Sequence, residues 1–280
     1  MKLHLMLALL LGAAVSPAPA AATPREPVVR SATSASRDSA RARRRTARPA
    51  RPDTAIVHLG AAGEGGDAFA AFPAGSGPAP GIIVVHEWWG LNAQIREIAR
   101  RLARQGYIAI VPDLYHGKVA ADAERAHVLA RGLDESDALA QIEAASAWLA
   151  AEPRSGRRRR GVMGFCMGGR LALQAALRDE SLGGVVMFYG APESRPDRLA
   201  PLRAPLLGHF GAEDQGIDVD RVETFERLLR AAGKNAEVYV YPGAGHAFMN
   251  EEQPGYRPEA ARLAWVRTLD FLQKNLKGLP

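Results

Sequence analysis

The chain has 280 residues, 47% hydrophobic and 6% aromatic, with a formal net charge of +6 and a single cysteine. One cysteine excludes an intramolecular disulfide, and no Cys/His spacing suits a metal, so neither metal nor organic cofactor is expected. The positive charge is local: between Arg25 and Arg51 nine arginines meet two acids, Glu26 and Asp38. The remainder is close to neutral, which removes the case for nucleic-acid binding by the folded part.

Met1 to Ala22 reads as a secretory signal: Lys2, a mainly apolar run from Leu3 to Val15, then the small residues Ala18 to Ala22. The run is short for a span, so cleavage and export to the periplasm or medium are expected, with no stable membrane span afterwards. Residues 23–53 are rich in Arg, Ala, Ser, Thr and Pro without apolar periodicity, the composition of a disordered tether. A tether of this charge also fits acidic cell-envelope material. After the leader and tether about 225 residues remain in one domain, 54–280, enough for a substantial core.

From Thr54 the pattern predicts alternating strands and helices. Thr54–Leu59 and Ala68–Phe72 read as strands joined by a turn at Gly63–Gly66, and Gly81–His86 as a strand buried on both faces. Asn92 caps a helix through Ile95, Ile98 and Leu102, closed by Gly106. Tyr107–Val111 is a strand, Leu114–Gly132 loop and irregular helix, and Asp134–Ala151 a helix with Leu139, Ile142, Ala145, Trp148 and Leu149 inward. Arg157–Arg160 reads as a solvated turn. The strands Gly161–Gly164, Gly184–Tyr189, Pro205–Phe210 and Glu237–Tyr241 follow, with helices after Cys166, over Val219–Ala232 and over Pro258–Leu276. The alternation implies a doubly wound, mostly parallel α/β sheet with helices on both faces.

The stretch Gly161 to Arg170, GVMGFCMGGR, runs from strand into helix through the pattern G-x-C-x-G-G. That is a cysteine version of the nucleophile elbow, in which glycines allow close passage of a strained turn and the helix N-terminus favours a thiolate. A buried packing cysteine is the alternative reading. Groups that do chemistry on such a sheet gather at the carboxyl ends of its strands, where Glu87, Cys166, Asp214 and His246 all fall. His246 is the candidate base for the Cys166 thiol, and Asp214, next to Glu213, the candidate orienter of His246. A developing oxyanion needs two backbone donors, expected at Met167, just after the nucleophile, and at Trp88. His86-Glu87-Trp88-Trp89-Gly90 lacks the second histidine of a zinc motif, and the tandem tryptophans either wall an apolar pocket or cover the sheet edge.

With His86 to Asn92 (HEWWGLN), Val111 to Tyr115 (VPDLY), Gly164 to Gly169, Gly211 to Asp214 and Gly245 to Phe248, the chain resembles the dienelactone hydrolase (carboxymethylenebutenolidase) family over about Thr54 to Leu276. The resemblance implies an α/β-hydrolase fold and a Cys166–His246–Asp214 triad. It also implies that Glu87 contacts the resting thiol, holding it protonated until substrate arrives. The expected reaction is hydrolysis of a lactone or small carboxylic ester by a monomer. A promiscuous carboxylesterase or thioesterase, and a non-catalytic binding module on the same fold, are the alternatives. One departure bears on substrate. Family members acting on dienelactone hold its carboxylate with arginines, one of them shortly after the histidine, whereas here Ala247 to Glu252 (AFMNEE) follows. Arg125 and Arg131 are the remaining candidates for such a contact.

Overall fold

A computed structural model describes residues 52–60, 66–155 and 159–278. The expected leader, the tether up to residue 51, most of the turn at Gly63–Gly66 and part of the arginine run lie outside the described residues. Asp53, placed in the tether by composition, opens the first strand.

Strands β1 (Asp53–His58) and β2 (Asp67–Phe72) are antiparallel, and β2 is antiparallel to β4 (Ile108–Pro112). The others, β3 (Gly81–Val85), β5 (Arg160–Phe165), β6 (Leu182–Phe188), β7 (Leu206–Gly211) and β8 (Ala236–Tyr241), run parallel with β4 in the order β1-β2-β4-β3-β5-β6-β7-β8. The doubly wound, mostly parallel sheet is as the alternation predicts. Every residue of β3 is buried, because helices cover both faces. Side chains alternate between two cores: Ile83 and Val85 face one, Ile82 and Val84 the other.

Helices α1 (Ala93–Arg104), α2 (Ala123–Arg131), α3 (Glu135–Ala151), α4 (Met167–Ala176), α5 (Pro196–Leu199), α6 (Val219–Ala231) and α7 (Pro258–Leu272) connect the strands, and a π turn at Gln273–Lys277 extends α7. Asn92 caps α1 by accepting from the Ile95 N–H at 3.1 Å. Two expectations need correction. The stretch expected to be irregular contains a regular helix, α2, capped by Asp122 at the Arg125 N–H and burying only Ala126 and Leu129. That two-residue buried face is too narrow to print an amphipathic stripe. Trp148 faces inward as expected, packed half-buried against the core with its ring centroid 6.3 Å from that of Phe72. Arg160 is the first residue of β5 and donates to Ser146 at 3.2 Å and Ser181 at 2.7 Å, so it is a strand residue and not a solvated turn. The single turn of α5 has no counterpart in the sequence pattern, because four residues carry no periodic signal.

The chain runs from β3 outward to β4, then crosses back to β5 on the other side of β3. The crevice at this switch point lies between the ends of β3 and β5, which carry His86–Trp88 and Cys166.

Farther along the sheet, His209 of β7 is fully buried between Tyr241 Oη at 2.8 Å and Thr268 Oγ1 at 3.0 Å. The Thr268 hydroxyl donates to Ala264 O, so it accepts from His209 Nε2–H, and Nδ1 accepts from Tyr241. Both ring nitrogens are satisfied only when the imidazole is neutral. Burial, aided by the charge of Arg267, lowers its pKa to about 3. Below the ordinary histidine pKa of about 6.5 the unfolded chain takes up a proton that the folded chain refuses, so stability falls as pH drops toward 3. This one group is expected to remove about 3 kcal/mol between pH 6.5 and pH 4. Urea unfolding of wild type and His209→Gln across that range checks this: the variant should show the shallower slope, and equal slopes would refute it.

Candidate active site

Cys166 occupies the turn between β5 and α4 with φ 54° and ψ −119°, a left-handed conformation that a side chain tolerates only when its surroundings enforce it. Its N–H donates to Phe188 O at 3.0 Å, and its carbonyl accepts from Gly169 and Arg170. The glycines of the motif answer to close contacts. A Cβ on Gly164 would strike the backbone of Gly168, and one on Gly168 would collide with Val85 and come within 2.5 Å of His86 O. Without a Cβ at Gly168, the first turn of α4 packs against the end of β3.

His246 lies on the loop after β8, and Asp214 on the loop after β7. The two loops close together at Gly211, where a Cβ would stand 2.6 Å from Gly245 O. His246 Nε2 is 3.1 Å from Cys166 Sγ, and His246 Nδ1–H donates to Asp214 Oδ2 at 2.7 Å. Asp214 Oδ1 accepts from the N–H groups of Gly216 at 2.8 Å and Ile217 at 3.1 Å. Burial pulls the His246 imidazole down, but its hydrogen bonds to Asp214 and Cys166 prevail and raise it to about 10. Burial would likewise raise Asp214, yet the His246 bond and the two N–H groups hold its carboxyl below the ordinary range. Glu213, the sequence neighbour of Asp214, points to solvent and takes no part.

Glu87 is buried in the same crevice, but its partners are not those the resemblance implies. Oε1 accepts from Tyr189 Oη–H at 3.0 Å and Oε2 from Asn250 Nδ2–H at 2.6 Å. Among the described residues no hydrogen bond joins Glu87 to Cys166; the sulfur faces His246 instead. Burial pushes the Glu87 carboxyl up, with Asn250 and Tyr189 opposing. Asn250 stands four residues after His246, so Glu87 ties the end of β3 to the histidine loop, where Ala247 has φ 58°. Tyr189 also packs on the His246 ring, centroids 5.1 Å apart. Sequence reasoning missed both partners. The departure from the family pattern after His246 was the available signal for Asn250; nothing local pointed to Tyr189.

The N–H groups of Met167 and Trp88 have no acceptor among the described residues. Met167 opens α4, so its N–H is one of the free donors of a helix N-terminus. Trp88 follows Glu87 in a turn closed by Gly90 N–H to Glu87 O at 3.2 Å. Trp88 and Trp89, in edge contact at 5.2 Å, line an open cavity of about 300 Å³ together with Glu87, Cys166, His246, Ala247 and Gln253–Gly255. They wall the pocket, the first of the two readings of the tandem pair. No lysine or arginine is among those lining residues, and Arg125 borders a different depression with His116, Lys118 and Asp134.

The chain is similar to known proteins along most of its length. The model of the dienelactone hydrolase family matches residues 67–276. An Escherichia coli (strain K12) protein named carboxymethylenebutenolidase is 36% identical over 242 residues, covering 80% of this chain and 89% of that one. A Bradyrhizobium protein named 2-oxo-3-(5-oxofuran-2-ylidene)propanoate lactonase is 34% identical over 235 residues, covering 79% and 94%. A crystal structure named dienelactone hydrolase, from Klebsiella pneumoniae, superposes with a TM-score of 0.73 at 34% identity, covering 79% of this chain and 99% of that one. The chain therefore belongs to the dienelactone hydrolase family, has the α/β-hydrolase fold, and is a hydrolase acting on carboxylic ester bonds.

Proposed function

We propose that the enzyme hydrolyses an uncharged lactone or short carboxylic ester through a cysteinyl thioester. The observation that carries this reading is the continuous Sγ–Nε2, Nδ1–Oδ2 chain of 3.1 and 2.7 Å opening into the tryptophan-walled cavity. Cys166 attacks the carbonyl carbon, and its proton resides on His246, whose imidazolium is stabilised by Asp214. Charge passes to the carbonyl oxygen, which the Met167 and Trp88 N–H groups receive. The tetrahedral centre collapses, the C–O bond breaks, and the leaving alkoxide takes the proton from His246 Nε2. Water then gives a proton to His246 and attacks the thioester; collapse releases the carboxylic acid and regenerates the Cys166–His246 pair.

The lining supports an uncharged substrate: no lysine or arginine is there to meet a carboxylate, and Glu87 contributes an acid. Burying an unpaired anion in such a pocket is unfavourable. Pairs of aryl esters differing only in a free or methylated distal carboxylate should differ in kcat/KM by at least about 10-fold, roughly 1.4 kcal/mol, in favour of the methylated form. Equal turnover, or preference for the anion, would refute neutrality. The thioester itself is tested by acid-quenching the enzyme during p-nitrophenyl acetate turnover: one acetyl group should be found on the Cys166 peptide, and its absence with label elsewhere would refute the cysteine route. The leader-like residues 1–22 support work outside the cytoplasm, with export part of the proposal; fractionation of the native host checks it.

A further inference from the structure

His86 is fully buried directly after β3 and takes no part in the reaction above. Its Nδ1 lies 2.6 Å from the carbonyl oxygen of Glu87. A carbonyl only accepts, so Nδ1 carries the proton, and Nε2 is left with a lone pair. That Nε2 is buried with no partner. Burial pushes the imidazole below its ordinary pKa, which keeps this neutral form. A phenylalanine or leucine would fill the same space beside Tyr115 without stranding an acceptor, so core packing alone does not account for a histidine here.

The peptide between Glu87 and Trp88 supplies the reason. Its C=O and N–H belong to one planar trans unit and point in opposite directions. Glu87 O is held from one side by His86 Nδ1–H at 2.6 Å and from another by Gly90 N–H at 3.2 Å. Fixing the oxygen fixes the direction of the Trp88 N–H, one of the two donors expected to receive the oxyanion. Gly168 passes so close to the same segment that a Cβ on it would stand 2.5 Å from His86 O, which keeps the second donor, at the start of α4, beside it. We infer that His86 is a positioning residue for the oxyanion hole, aiming the Trp88 N–H through the carbonyl of Glu87. This rests on the cysteine hydrolase reading above.

The test uses the purified protein and the variants His86→Phe, His86→Asn and His86→Gln. Three quantities are compared: kcat/KM for p-nitrophenyl acetate, affinity for a trifluoromethyl ketone, and the rate of Cys166 alkylation by iodoacetamide. The ketone forms a thiohemiketal oxyanion; alkylation forms none. In His86→Phe, kcat/KM and ketone affinity should both fall about 10- to 100-fold, below the full loss of an oxyanion donor, while alkylation stays within about 2-fold. Asparagine places its Nδ2–H where the imidazole Nδ1–H stood and should restore most of the loss; glutamine places its amide one carbon farther out and should not. If the phenylalanine variant does not fold, the order of asparagine over glutamine decides. Unchanged turnover in His86→Phe, proportional loss of alkylation with turnover, or glutamine equal to asparagine would overturn the inference while leaving the cysteine reading intact. A wild type that neither turns over the ester nor is alkylated at Cys166 would overturn both.

Discussion

Cys166→Ala is expected to lower ester turnover by about 10⁵- to 10⁶-fold, the loss seen when the nucleophile of a triad is removed. The same substitution should barely move stability. The thiol is only partly buried at the cavity, so its truncation removes little buried surface, while the strained φ of 54° persists with any residue bearing a Cβ. Glycine separates strain from packing. Cys166→Gly removes the Cβ at a left-handed position, where side chains carry about 1–3 kcal/mol of strain. It should therefore be as inactive as alanine yet melt about 2–4 °C higher per kcal/mol relieved. Calorimetry beside a p-nitrophenyl acetate assay checks both halves. A packing cysteine gives the opposite signature, with glycine less stable than wild type and turnover retained, and that result would refute the nucleophile assignment.

The strain explains why the elbow was so legible in sequence. A residue lifted at positive φ between strand and helix leaves no room for a Cβ at Gly164 or Gly168, so geometry writes itself into residue identity. The three residues proposed as the triad were legible for a related reason: Cys166, Asp214 and His246 lie at the carboxyl ends of β5, β7 and β8, and the alternation of strands and helices fixes where those ends fall. The partners of Glu87 were not. Tyr189 is 102 residues away and Asn250 is 163, on different loops, and a hydrogen bond across that separation imposes no period on the sequence. The role of Glu87 suffered most from this. Read alone, a carboxylate beside a thiol is a gate. With both oxygens occupied, by a tyrosine after β6 and an asparagine on the histidine loop, it is a brace between the end of β3 and the loop carrying His246. The bond from His86 to the Glu87 carbonyl was hidden too, because a side chain that binds the adjoining peptide leaves no spacing in the sequence.

Asp214→Asn should cost about 10³- to 10⁴-fold in kcat/KM with little change in folding, and the geometry says why. Asp214 Oδ1 is held by two backbone N–H donors at 2.8 and 3.1 Å. An asparagine must place its carbonyl oxygen there, since its NH₂ would face two donors. The NH₂ is then turned toward His246 Nδ1, which must accept. The imidazole proton moves to Nε2, on the side facing Cys166 Sγ at 3.1 Å, and the lone pair that should take the thiol proton is gone. The support for a charged imidazole vanishes with it, because the raised His246 pKa of about 10 leans on Asp214. Turnover in the variant should therefore climb with pH as hydroxide replaces the lost base, where wild type levels off. Rates between pH 6 and 10 read this directly. A variant of near-wild-type rate and flat profile would remove Asp214 from the triad. A large loss without the climb would mean that the carboxylate organises the loop rather than the tautomer.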